Sequence, residues 1–277
     1  MRFPAVAGQF YPGAAPALQR MVDEFLAKAR KEVKPRSCLS IICPHAGYVY
    51  SGFTAACSFA AAESQLKKPN TTAIILGPNH TGLGNPIAIS FDDWKTPIGS
   101  TSTDLPLAGA IIKSNPAITK NEAAHIGEHS IEVQLPFLQT INPQAKIVAI
   151  CMGWQDEGTC EMLAKSIFDA VSQPAFAGRN ILLIASSDFT HYESGERARQ
   201  LDAQALEFIK ALEAGELERE VEASSLSICG HGPIAVALQY SKLAGAKSAS
   251  LLRYTNSGKE TDGDERQVVA YASFVIV

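Results

Sequence analysis

Three runs of aliphatic and β-branched residues in this chain each break off into a polar tip that carries a histidine. They are Ser40-Ile41-Ile42-Cys43-Pro44-His45, Ala73-Ile74-Ile75-Leu76-Gly77-Pro78-Asn79-His80 and Ile181-Leu182-Leu183-Ile184-Ala185-Ser186-Ser187-Asp188-Phe189-Thr190-His191. Uninterrupted runs of this kind are how strands buried on both faces of a parallel sheet read. Such sheets bind ligands in the crevice beyond the carboxyl ends of their strands, so histidines at neighbouring strand ends converge. Strands are expected over 39–43, 73–76, 86–91, 146–152, 181–185, 249–254 and 268–277, and helical patterns over 16–29, 53–64, 105–114, 131–140, 160–171, 200–214 and 234–243. This alternation predicts an α/β fold with a central mixed, largely parallel sheet flanked by helices. Between the last two strands lies only a turn-rich stretch, 256–264, so they are expected to pair as an antiparallel hairpin. No linker or internal repeat interrupts the pattern, which predicts a single domain over 1–277.

Composition narrows the chemistry. The chain has 277 residues, 46% of them hydrophobic, which is ample for a self-sufficient core. Its formal charge of -4 supplies no basic field, so nucleic acid is not an expected partner. No apolar run reaches the ~18 residues needed to span a bilayer, and no secretory leader pattern opens the sequence; a cytoplasmic, membrane-independent protein is expected. The six cysteines have no CxxC pair and no framework spacing, and read as reduced thiols.

His45 and His80 occupy equivalent strand-to-loop positions and are candidate metal ligands, since neutral imidazole serves iron, zinc and copper. Cys229, in the turn Ile228-Cys229-Gly230-His231-Gly232-Pro233, offers a third, anionic donor once a metal drives off its proton. Either Ser187 or Asp188 caps a helix with His191 on the surface, or Asp188 and His191 are acid/base or ligand-supporting groups, with the carboxylate orienting an imidazole. His129 is expected as a pocket residue beside the metal, and Ser130 as the cap of the helix that follows. The stretch His125-Ile126-Gly127-Glu128-His129 matches the HxxEH pattern of inverted zinc proteases. Gly127 and the late cap argue against the continuous helix that pattern requires. The direction of His231 is unreadable between two glycines, and it is left outside the ligand set.

Taken together these motifs resemble the Memo family, whose bacterial and archaeal members are called AmmeMemoRadiSam system protein B. The resemblance runs from Val6-Ala7-Gly8-Gln9-Phe10-Tyr11-Pro12 through Pro44-His45-Ala46-Gly47-Tyr48, Gly77-Pro78-Asn79-His80, Glu128-His129-Ser130-Ile131-Glu132, Ser186-Ser187-Asp188-Phe189 and Cys229-Gly230 to Tyr254-Thr255-Asn256-Ser257-Gly258. It implies a fold shared with class III extradiol dioxygenases, metal ligands at His45, His80 and Cys229, and further pocket residues at His129, Asp188 and His191. The resemblance makes iron(II) the first expectation; those enzymes complete their site with a carboxylate where this chain has Cys229, a departure from the dioxygenase pattern that lets the two-histidine, one-thiolate set fit copper or zinc as well. The expected function is a metal-binding redox protein that oxidises a small aromatic or enediol substrate with O2. The alternative is an adaptor that binds a peptide, a small ligand or copper in the same pocket. Functional association with a radical SAM protein is implied by the family name alone.

Overall fold

A computed structural model describes residues 1–277. The strands are β1 Ser40–Cys43, β2 Thr71–Pro78, β3 Ile87–Ile89, β4 Trp94–Thr96, β5 Gly99–Thr101, β6 Ile118–Lys120, β7 Lys146–Met152, β8 Asn180–Ser186, β9 His191–Glu193, β10 Ala249–Asn256 and β11 Val268–Ile276. The helices are α1 Ala15–Glu32, α2 Tyr48–Ala61, α3 Glu63–Leu66, α4 Leu105–Ser114, α5 Leu135–Ile141, α6 Glu157–Val171, α7 Gly195–Lys210, α8 Ala214–Ala223, α9 His231–Leu243 and α10 Ser257–Glu260.

The main sheet runs β10-β11-β1-β8-β2-β7-β3-β6, with β9 added beside β11. Its centre, β1-β8-β2-β7, is parallel throughout, while β11 joins β1 antiparallel and β3 joins β7 antiparallel. The expected mixed α/β sheet is therefore present, and β10 and β11 form the expected antiparallel pair. Successive residues of the central strands enter opposite cores. Ile41, Cys43, Ala73, Ile75, Leu182 and Ile184 pack toward α1, α2 and α5. Ile42, Ile74, Leu76, Leu183 and Ala185 pack toward α4, α6, α7 and α9. Burial on both faces is the physical reason these strands carry no polar alternation. No helix is long and apolar enough to cross a membrane.

Several boundaries differ from the sequence reading. The helix expected over 131–140 begins as a 3-10 turn, Glu132–Gln134, before α5, and its cap is not Ser130, whose hydroxyl donates to the Pro78 carbonyl at 3.1 Å. The stretch expected as one helix over 200–214 is α7, a break, and then α8. Leu212 holds a left-handed φ of 61° at the break. The helix after β1 opens at Tyr48, earlier than Phe53. One short helical turn, α10, sits in the β10–β11 connection. No helix follows Ser187 and Asp188, so neither is a helix cap; the chain goes directly into β9.

Candidate metal centre

Because β8 lies between β1 and β2, the loops leaving those two strands flank the end of β8. His45 follows β1 and His80 follows β2. The third wall is the turn 128–131, which approaches β2 so closely that a Cβ on Gly77 would lie 2.3 Å from the Ser130 hydroxyl oxygen. A side chain there would force the turn away from the strand, so glycine is required by space. The result is that His45, His80 and His129 bring one nitrogen each to within 4.8 Å of one another. The His80 and His129 rings stack at 4.6 Å, and His45 meets His80 edge-on at 5.1 Å.

Two of the three rings are hydrogen-bonded from behind. Ser186 Oγ donates to the Ser130 carbonyl at 2.7 Å and accepts from Gln134 Nε2 at 2.9 Å. Its one proton being spent, it accepts from Nδ1–H of His45 at 2.9 Å, which fixes that tautomer and leaves Nε2 as a bare lone pair. Nδ1 of His80 lies 3.0 Å from Oε1 of the fully buried Glu128, and Nδ1 of His129 lies 3.5 Å from the same oxygen. The carboxylate also accepts the backbone N–H groups of His80 at 2.6 Å and of His129 and Ser130 at 2.8 Å. Burial alone would raise the Glu128 pKa, but the His80 hydrogen bond and charge together with the Ser130 N–H hold it well below the usual carboxylate range. Imidazoles held through Nδ1 by a carboxylate or hydroxyl, with Nε2 facing a common point, are how proteins orient histidine ligands.

Desolvation lowers the His45 pKa well below its ordinary value, with His129 and His80 adding to the effect, and burial lowers that of His129 to about 4. Both rings are therefore neutral, the form that ligates. Cys229 meets the cluster at His45, its Sγ 3.1 Å from Nε2, and it also accepts the Asp188 backbone N–H at 3.2 Å. Burial and then the Asp188 charge push its thiol pKa up, so without a metal it is protonated. Two neutral imidazoles, a third with its Nδ1 held, and a thiol suit iron, copper or zinc.

Of the residues singled out from the sequence, His45, His80, His129, Asp188 and His191 line one cavity of about 540 Å³. Asp188 does not orient an imidazole side chain. Its Oδ1 accepts the His45 backbone N–H at 2.8 Å, and burial raises its pKa to about 6. His191 lies on the cavity wall outside the cluster, with Nδ1 2.8 Å from the Ser227 carbonyl oxygen. His125 is buried in a 3-10 turn beside Trp94, so no helix carries it and His129 together. His231 points to a different cavity and pairs with Glu218 at 2.9 Å. Sequence reading missed Glu128 as the clamp on two histidines, and Ser186 and Gln134 as the support of His45. The one signal was their position inside the histidine-bearing motifs.

The amino-terminal segment closes the wall behind His129. Arg2 is buried and reaches the Glu132 carboxylate, the His125 carbonyl at 3.0 Å and the Glu128 carbonyl at 2.5 Å. Glu132 in turn accepts the N–H groups of Ala5 and Val6 and the Tyr11 hydroxyl. This places the Phe10 ring 4.7 Å from His129.

Comparison with known proteins gives a match to the Memo-like protein family model over residues 2–275. The chain belongs to the Memo family. A MEMO1 family protein of Methanosarcina mazei is 40% identical over 277 residues, covering 100% of this chain and 99% of the relative. Similar proteins of Archaeoglobus fulgidus and Methanocaldococcus jannaschii are 41% and 38% identical, each aligned over at least 99% of both chains. Membership in the Memo family thus spans both the sheet and every wall of the histidine cluster.

Proposed function

We propose that this Memo-family chain is a metal-dependent redox protein that binds a transition-metal ion, iron(II) first among the candidates, and oxidises a small aromatic or enediol substrate with O2. The observation that carries this reading is the convergence of His45, His80 and His129 within 4.8 Å, with two of the rings held through Nδ1 by Glu128 or Ser186. His45 and His80 are the core of the proposed donor set. His129, its ring centre 5.4 Å from that of His45, and the Cys229 thiol, 3.1 Å from His45 Nε2, complete it. A bound iron(II) would supply Lewis acidity and open positions for substrate oxygens and O2.

The chain's own groups supply the rest. Tyr50, Tyr192 and Tyr271 give the cavity aromatic walls that suit a flat ring. His191 has Nδ1 committed to the Ser227 carbonyl, so Nε2 is the nitrogen left to accept a substrate hydroxyl proton. Asp188 keeps the His45 backbone in place rather than serving as a base.

The test is anaerobic reconstitution with iron(II), followed by metal analysis and oxygen uptake over a panel of catechols. One iron per chain, reduced in His45→Ala and His80→Ala, with uptake above that of free iron, is expected. Uptake no greater than free iron across the panel would overturn the redox assignment. Iron content unchanged by either histidine substitution would overturn the site.

A further inference from the structure

Resting on that reading, we infer that the substrate is a hydroxylated aromatic whose ring substituent, at the end away from the metal, is uncharged or an amine and not a carboxylate, sulfonate or phosphate. Fourteen residues line the cavity, and none is lysine or arginine. Its single acidic side chain, Asp188, is 4% exposed. The remaining walls are aromatic faces, small residues, imidazoles and the polar ends of Gln9 and Ser257.

Two guanidinium groups of the surrounding structure are committed to other partners. Arg2 lies behind His129, tied to Glu132 and stacked 4.3 Å from the Trp94 ring centre. Arg253 pairs with Glu260 at 2.5 Å and stacks over Phe53. Glu260 is also close enough for its charge, with that of Asp188, to act on the Tyr271 hydroxyl.

A metal ion would neutralise oxygens bound directly to it, but its field does not provide a partner at the far end of a ring. There an anionic group would lose its hydration and find no lysine or arginine among the lining residues to replace it. Sites that read carboxylate or phosphate place arginine or lysine at that position. An amine instead finds the aromatic faces of Phe10, Tyr50, Tyr192 and Tyr271, which favour a cation. The charge preference is thus a property of the walls and does not depend on which metal is held.

Two matched ligand series at near-neutral pH test this by calorimetry without oxygen. The iron(II)-loaded chain is titrated with 4-methylcatechol, dopamine and 3,4-dihydroxybenzoate. The metal-free chain is titrated with the non-chelating analogues 4-methylphenol, tyramine and 4-hydroxybenzoate. In each series the carboxylate is expected to bind at least ~10-fold more weakly than the neutral and amine members. Tyr192→Arg, at a position that is 76% exposed on the cavity rim, is expected to narrow that gap by adding the missing cation. A carboxylate that binds as tightly as its neutral partner in either series overturns the inference and leaves the metal reading intact. Catechols that bind the iron(II)-loaded chain no more tightly than their phenol analogues bind the metal-free chain count against the metal reading, while the metal-free series still decides the charge preference. If no member of either series binds, both fall.

Discussion

Glu128 grips His80 twice: its Oε2 accepts the backbone N–H at 2.6 Å, and its Oε1 faces Nδ1 of the same residue at 3.0 Å. One buried carboxylate thereby fixes both the loop that carries the imidazole and the ring's rotation. The same oxygen that faces His80 also lies 3.5 Å from the His129 ring. Glu128→Gln keeps the shape but replaces one acceptor oxygen with an amide donor, turning an attraction toward at least one N–H into a repulsion. Metal affinity is expected to fall by about 10–100-fold, the usual cost of losing a partner behind a histidine ligand. Competitive titration against a metal indicator would measure it, and affinity within twofold of the unaltered chain would refute the role.

Metal uptake should release a proton whose source is identifiable. His45 and His129 are already neutral, whereas burial keeps the Cys229 thiol protonated beside the bare Nε2 of His45. About one proton per metal is expected from the thiol if sulfur ligates. Calorimetry in buffers of different ionisation enthalpy would count it. Cys229→Ser should lower the count by about one; an unchanged count would remove Cys229 from the donor set.

The buried ion pair between Arg2 and Glu132 should matter to stability far more than a surface pair. The two side chains are 5% and 0% exposed, and Glu132 also holds the backbone of Ala5 and Val6. Arg2→Met leaves that carboxylate without its cation and is expected to cost about 3–5 kcal/mol. The double variant Arg2→Met/Glu132→Gln should cost less than the sum of the two single changes. Urea unfolding would resolve the difference, and strict additivity would mean that the pair is not coupled.

Stability of the metal-free chain should fall on acidification through the histidine range. Burial lowers the His125 pKa to about 4, against 6.5 for the unfolded chain, so between those values the unfolded state binds the proton and the folded state does not. The His125 contribution is therefore fully present above pH 6.5 and is lost as pH falls toward 4. The shift corresponds to about 3 kcal/mol. His45 and His129, also lowered, act in the same direction. Urea midpoints taken across this range should show the limb, and His125→Phe should make it shallower; an equally steep limb would mean that His125 titrates normally.

The parts of the fold visible in the sequence are those with one dominant physical cause. β1, β2 and β8 are buried on both faces, so nothing but apolar residues is tolerated, and their ends are marked by the first polar groups. The three-residue strands β4, β5, β6 and β9 are too short to show a period. The break between α7 and α8 was hidden because Leu212, not glycine, takes the left-handed conformation there. At the site, His45 and His80 were legible from their place after the strands. Glu128 was not, because it acts largely through the backbone N–H groups of His80, His129 and Ser130, which no side-chain pattern marks.

The groups around this centre come from residues 45, 80, 129 and 229, and they meet only after β8 has been inserted between β1 and β2. No short fragment of the chain contains them; the stretch that does runs from residue 45 to residue 229. Most of the contacts that define the centre are distant in sequence, and such contacts form late because each must close a long loop. A growing polypeptide thus cannot assemble the three histidines in this sheet before synthesis has passed β8, nor the full donor set before Cys229. Metal uptake by this protein would mark the completion of folding rather than guide its early steps.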